Sequence, residues 1–224
     1  MHYIFKNYIR NMIVSVLIML AFSVQLFASD ETVTVIKHTA KGDEKLLIDS
    51  SAEKYYLGYG DYVTGISDLS SLHHLKTVEI EGTAFLHDFS FLADCSQLKT
   101  LVIRECTIDD FDFLLKLAEL ENLVLQSVRC SSYPDIEGMK CLDYFEMSDS
   151  GVIDTCWLED PPQTVKVLNL AYNAIQKIDI HKYPSVNKII LTGNPLERTE
   201  LPAKFSTGDD VYTELPEQYR KFVR

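Results

Sequence analysis

The chain has 224 residues, 46% of them hydrophobic and 24% charged, which excludes whole-chain disorder and collagen-like composition. Its 33 acidic residues outweigh 21 basic ones for a net charge of -12, the wrong sign for a surface that displaces counterions from nucleic acid. Five cysteines are too few for a disulfide scaffold, and the odd number leaves a thiol unpaired or pairing between molecules.

Met1 to Arg10 carries Lys6 and Arg10 and no acid. Met12 to Phe27 is an apolar run broken only by Ser15, Ser23 and Gln25, and the small Ala28 and Ser29 precede Asp30 and Glu31. A charged start, an apolar stretch and small residues form a secretory signal pattern. The run is shorter than the roughly 20 residues a helix needs to span a bilayer. Residues 1–29 are expected to be a signal peptide cleaved after Ala28 or Ser29. An uncleaved anchor is the alternative, and only then would the chain sit on a membrane. Residues 30–56 follow as an N-terminal cap, where alternating Val33 and Val35 and the turn at Lys41-Gly42-Asp43-Glu44-Lys45 suit a hairpin or strand.

From residue 57 to 196 the chain repeats. The triplet Leu75, Val78, Ile80 returns as Leu98, Leu101, Ile103; Leu120, Leu123, Leu125; Leu142, Phe145, Met147; Val165, Leu168, Leu170; and Val186, Ile189, Leu191. Thr83, Cys106, Val128, Ser150, Asn173 and Asn194 stand three residues past each copy, and Phe85, Ile108, Cys130, Val152, Ile175 and Leu196 two further on. A weaker copy precedes these, aligned as Leu57, Tyr59, Tyr62 and Thr64, 21 residues before Val78, Ile80, Thr83 and Phe85. Within Thr77-Val78-Glu79-Ile80-Glu81 the alternation has period two, so Val78 and Ile80 point one way and the others the opposite way. One such strand buries almost nothing, whereas a parallel stack of them makes a continuous core.

The unit L-x-x-L-x-L-x-x-N/C-x-L resembles the leucine-rich repeat, and Ile66 to Leu72 followed by Leu75, Val78 and Ile80 looks like the 22-residue variety of bacterial internalin-like proteins. The resemblance implies an α/β fold: a right-handed leucine-rich-repeat solenoid with a parallel β-sheet on its concave face and short helical turns or extended segments on its convex face. Single turns are expected at 89–92, 111–117 and 133–139, packing Phe91, Phe113, Leu114 and Ile136 inward, with an extended path at Pro161-Pro162. An inward Asn can bond backbone groups of its own and the next turn. Val128 cannot, which predicts an irregular junction between the third and fourth repeats. Residues 197–224 form a C-terminal cap, with Leu201, Phe205, Val211, Tyr212, Leu215, Tyr219, Phe222 and Val223 as its apolar groups. Pro202 and Pro216 limit any helix there to short pieces, of which 217–223 is the best candidate.

No catalytic, cofactor or metal motif stands out. His73 and His74 fall between core leucines on a crossover, Asp109-Asp110 and Asp209-Asp210 read as solvated turn acids, and no glycine-rich phosphate cradle exists. Catalytic, cofactor and metal residues are therefore expected to be none, and the chain is read as no enzyme. Cys106 and Cys130 occupy inward positions. One bridge among Cys95, Cys141 and Cys156 is open in an exported chain.

The outward residues of the strands are the informative surface. Val102, Val124, Tyr144, Val167 and Ile190 form an apolar strip rimmed by Glu79, Glu81, Arg104, Glu146 and Lys188, with Gln126 and Asn169 beside it. An apolar strip with a polar rim is the anatomy of a protein-binding patch. The expectation is an exported protein, secreted, periplasmic or on a bacterial cell surface, that binds a protein partner through this face as a monomer or weak oligomer. The partner-binding residues would be Glu79, Val102, Arg104, Val124, Gln126, Tyr144, Glu146, Val167, Asn169, Lys188 and Ile190. The alternatives are a structural envelope role without a groove ligand, and small-molecule or lipid binding in an irregular pocket within residues 128–162.

Overall fold

The computed structural model describes residues 31–59, 62–159, 161–179, 181–197 and 201–223; the expected signal segment lies outside them. Strands β1 (Thr32–Thr39) and β2 (Gly42–Asp49) form an antiparallel hairpin, and β4 (Val63–Ser67) pairs antiparallel with the other edge of β1. Strand β3 (Lys54–Leu57) instead opens an eight-stranded parallel sheet. It is followed there by β5 (Thr77–Glu81), β6 (Thr100–Arg104), β8 (Asn122–Gln126), β10 (Tyr144–Ser148), β11 (Val167–Asn169), β12 (Lys188–Ile190) and β13 (Phe205–Ser206). A small parallel pair, β7 (Thr107–Ile108) with β9 (Arg129–Cys130), flanks it. The architecture is a leucine-rich-repeat solenoid.

The period-two alternation decides which side of each strand is core. Val78, Leu101, Leu123, Phe145, Leu168 and Ile189 stand in register across the sheet and all are fully buried. Each such side chain contributes roughly 1.5–3 kcal/mol by leaving water. The weak copy sits two residues from the expected alignment: Tyr55 pairs with Val78 and Leu57 with Ile80, and it is Tyr55 and Leu57 that are buried. The run Tyr55-Tyr56-Leu57 hides the alternation, because outward Tyr56 is as large and aromatic as its inward neighbour.

Crossovers are short. Residues Ser90–Asp94 and Asp112–Lys116 form 3₁₀ turns, whereas 133–139 has no helical turn. Phe113, Leu114 and Ile136 are buried, and Phe91 packs against the core. Several of these bends are closed by an aspartate accepting a backbone N–H two residues on: Asp88 from Ser90 (2.8 Å), Asp110 from Asp112 (3.1 Å) and Asp154 from Cys156 (2.9 Å). Turn geometry thus accounts for Asp110.

The asparagine ladder works as its chemistry dictates. Asn173 Oδ1 accepts from Ser150 N–H (3.0 Å) and Val152 N–H (3.1 Å), while its Nδ2 donates to the carbonyls of Met147 (2.8 Å) and Leu170 (3.0 Å). Asn194 does the same for Ile175, Leu170 and Leu191. Contrary to expectation, the junction at Val128 is regular: β6, β8 and β10 pair over five residues without a shift. The hydroxyl of Ser150 accepts from Val128 N–H at 3.2 Å, as Asn173 does from Ser150. On the other side of Val128 the backbone closes the junction, with Arg129 N–H donating to Cys106 O at 2.9 Å.

Six strands of the parallel sheet, β5, β6, β8, β10, β11 and β12, are followed within three residues by one with left-handed backbone: Gly82 (φ 65), Glu105 (φ 52), Ser127 (φ 53), Asp149 (φ 48), Tyr172 (φ 56) and Gly193 (φ 75). The turn aims the residue's N–H at the next repeat, as from Gly82 to Arg104 O (3.0 Å), Glu105 to Gln126 O (3.0 Å) and Asp149 to Ala171 O (3.0 Å). A non-glycine residue there costs roughly 1 kcal/mol. The column of turns therefore keeps four side chains against its own backbone preference.

Candidate functional site

The outward face of the sheet is covered. Val102, Val124, Tyr144, Val167, Ala171 and Ile190 are buried in a second apolar cluster, separate from the spine, whose other members are Val211, Leu215, Tyr219 and Phe222. The sequence reading left this wall free; in the structure, residues after β13 lie across it. The reason is chemical: a column of valine, tyrosine and isoleucine in water is costly, and the following segment carries the apolar groups to remove it.

The strap can be followed strand by strand. Asp210 accepts from Tyr212 N–H (2.9 Å) and caps the one-turn helix α1 (Val211–Glu214). Glu214 then meets Lys188 of β12 at 2.8 Å. Pro216 stops the helix, and a 3₁₀ turn at Glu217–Phe222 carries Tyr219 and Phe222 onto β10. Their rings stack on Tyr144 with centroids 4.7 Å and 5.1 Å away, and Tyr219 donates a hydrogen bond to Asp143. Phe222 ends over β6, where Arg104 Nη2 donates to its carbonyl at 2.9 Å. Four strand spacings of about 4.8 Å separate β12 from β6, which the strap crosses between residues 211 and 222.

Several polar groups on the covered wall are paired. Arg104, 3% exposed, donates from Nη1 to Glu79 (2.8 Å) and from Nε to Gln126 (2.9 Å) as well as to Phe222. A guanidinium supplies this planar fork of donors, which lysine cannot. Glu146 accepts from Ser148 Oγ at 2.5 Å and from Tyr144 OH, and Asn169 Nδ2 lies 3.4 Å from Tyr144 OH. Burial pushes Glu146 above the usual glutamate range against the pull of those bonds and of Arg104, and it pushes Tyr144 well up with the Glu146 charge adding to it. Tyr219 is pushed up to about 12, first by burial and then by its bond to Asp143. For Glu79 burial acts upward, but Lys54 and Arg104 hold it below the usual range.

Of the eleven expected partner-binding residues, Val102, Arg104, Val124, Tyr144, Glu146, Val167, Asn169 and Ile190 are buried, while Glu79, Gln126 and Lys188 are half-buried at the rim. The structure brings all eleven to one wall, occupied by Val211, Leu215, Tyr219 and Phe222. The sequence alone places those four in an end cap; the apolar spacing 211, 215, 219, 222 is the signal that the segment has a face to bury.

The remaining expectations fall elsewhere. His73 and His74 are exposed on a crossover, and among the described residues no three His, Cys, Asp or Glu side chains gather as metal ligands. All five cysteines are free, Cys141 and Cys156 at the surface and Cys95 buried, so the bridge considered among these three is not formed. Within 128–162 a groove of about 300 Å³ is lined by Pro134, Ile136 and Trp157 and by the acids Asp135, Glu137 and Glu159. No described helix is long and apolar enough to cross a membrane.

No family profile matches the chain, and no curated protein is similar to it in sequence. Among solved structures it is similar to an internalin, inlF, from Listeria monocytogenes, with 19% identity and a TM-score of 0.52 over 69% of this chain and 53% of that one. A second similar structure is internalin C2 of the same species, with 17% identity and a TM-score of 0.48 over 69% of this chain and 79% of that one. The chain thus spans about half the length of inlF. Register, period and this likeness agree at the level of fold, which is the internalin-type leucine-rich-repeat solenoid.

Proposed function

We infer that the chain is an exported, non-catalytic protein-recognition module whose concave wall takes a segment of a protein partner, and that residues 207–223 hold this wall closed until the partner displaces them. One observation carries the reading: the wall already accommodates a peptide segment, with ring stacking on Tyr144, the Lys188–Glu214 pair and the Arg104 bond to Phe222 O. A surface that binds one amphipathic segment through apolar pockets and a fixed guanidinium has what it needs to bind another of like chemistry. A partner in trans competes with an intramolecular segment at millimolar effective concentration, so recognition is gated by strap release. Glu79, Val102, Arg104, Val124, Gln126, Tyr144, Glu146, Val167, Asn169, Lys188 and Ile190 are the contact set. Export rests on the pattern of residues 1–29, and N-terminal sequencing of the mature protein checks it.

The test uses the full chain carrying Phe222→Ala, which loosens the strap, and a labelled peptide of residues 207–223. The loosened chain should bind the peptide, the unsubstituted chain far more weakly, and Val124→Asp added to Phe222→Ala should abolish binding. Absence of binding to a chain whose strap exchanges freely with deuterium would overturn the reading in favour of a structural role for the covered wall.

A further inference from the structure

Beyond the strap, toward the N-terminal end of the sheet, four large aromatic rings face solvent together. Tyr56, Tyr59, Tyr62 and Phe85 are 51%, 57%, 54% and 52% exposed. Rings of this size dominate cores and interfaces, and none of the four belongs to either buried cluster. They are held in place. Tyr62 and Phe85 are in ring contact at 5.7 Å. Tyr59 OH donates to Glu105 at 2.6 Å and lies 3.2 Å from Glu81, which also takes Tyr56 OH at 3.4 Å. Gly82 makes room for Tyr59: a Cβ at that position would lie 2.1 Å from the Tyr59 ring. Side chains fixed before a ligand arrives lose little entropy on binding it.

A groove of about 560 Å³ runs from Tyr59 past Gly82, Glu105 and Ser127 to Arg129 and Asp149. Its carboxylates sit on the left-handed column at the strand ends, where Gly82 and Gly193 adopt positive φ freely. Glu105 and Asp149 keep exposed carboxylates there, and Asp149 is oriented by Ser127 Oγ at 2.7 Å. Aromatic faces beside carboxylates suit ammonium and guanidinium groups, which gain both cation–π and charge-assisted contacts. The corner already holds one such contact within the chain, Lys41 Nζ lying 5.5 Å from the Tyr62 ring centroid.

We propose that this aromatic and acidic flank is a second docking surface, for a protein segment that presents lysine or arginine side chains. Among the described residues it is open while the concave wall is closed, since Glu105, Ser127 and Asp149 lie past the ends of their strands, off the face that the strap covers, and the four rings and the Glu105, Arg129 and Asp149 side chains are exposed. It is independent of the concave-wall reading, because it needs no release of residues 207–223.

The probe is a fluorescein-labelled octa-arginine peptide, followed by anisotropy at low and physiological salt, with backbone amide NMR shifts to place it. The full chain should bind, with shifts confined to residues near 59, 82–85, 105, 127–129 and 149. Phe85→Ala and Glu105→Gln should each weaken binding about threefold, the size of one exposed cation–π or surface charge contact. Glu137→Gln, the same charge change on a crossover, should leave it unaltered, and all three variants should melt with the unsubstituted chain. Equal weakening by Glu105→Gln and Glu137→Gln would mean net charge alone attracts the peptide and would overturn the proposal. Absence of binding, or tighter binding of an uncharged hexasaccharide at the same amides, would overturn it as well.

Discussion

The two faces of one sheet are both buried, but by different means. The inward face is covered repeat by repeat by the crossovers that join consecutive strands, as Ser90–Asp94 joins β5 to β6. The outward face is covered once, by a segment that brings Phe222 to Arg104 across 118 residues. Repetition makes the first kind of burial cooperative along the solenoid, whereas the second is one unrepeated attachment, whose opening without unstacking of the strands is what the proposed gating requires.

Core truncation breaks the comparison hardest. Leu123→Ala removes a fully buried spine residue and is expected to cost about 2–5 kcal/mol, lowering the melting temperature of the whole chain in calorimetry. Phe222→Ala removes a ring of similar burial from the strap and costs about 3 kcal/mol locally. Its expected readout differs: dye binding to the bared wall rises and the strap exchanges faster, with the main melting transition nearly in place. Asn173→Ala strips the buried Val152 N–H and the half-buried Ser150 N–H of their acceptor and should cost about 2 kcal/mol, spread along the spine as a lower urea midpoint.

The smallest effect concerns pH. Glu146 holds its proton above the usual range because the strap buries it, so the closed wall binds a proton that the open wall releases. Closure is then strongest below the ordinary glutamate range and weakens as pH rises through the raised value. Glu214 and Glu79 are held below the usual range, Glu214 by its bond to Lys188 and then Ser206, Glu79 by Lys54 and Arg104 against burial. Of the two only Glu214 reports on closure, because it sits on the strap and its partner Lys188 on β12, whereas Lys54 and Arg104 stay beside Glu79 whether the strap is closed or open. The Glu214 contribution has the opposite sign, present above that range and lost as pH falls. Glu146→Gln leaves those two in place, so the strap's opening free energy, corrected for intrinsic exchange, should fall less between pH 5 and pH 8 in the variant than in the parent.

The spine was legible because period-two alternation and a near-constant step are local signals, and Leu101, Leu123 and Leu168 announce themselves one repeat at a time. The weak copy was misplaced by two residues where Tyr56 blurred the alternation. The junction at Val128 is regular because backbone pairing of β6, β8 and β10 and of β7 with β9 carries it, bonds that do not depend on the side chain at 128. For the wall, composition was legible and occupancy was not: Val124 and Tyr144 read as an apolar strip, but nothing near them in sequence tells that Tyr219 and Phe222 return to cover it.

Native-state deuterium exchange resolved by residue tests the gated wall most directly. Amides of 211–223 should exchange through an opening several kcal/mol cheaper than that of the β6, β8 and β10 amides, with the two groups responding separately to Phe222→Ala. One shared opening free energy for strap and strands would contradict the account, making the covered wall a permanent part of the core.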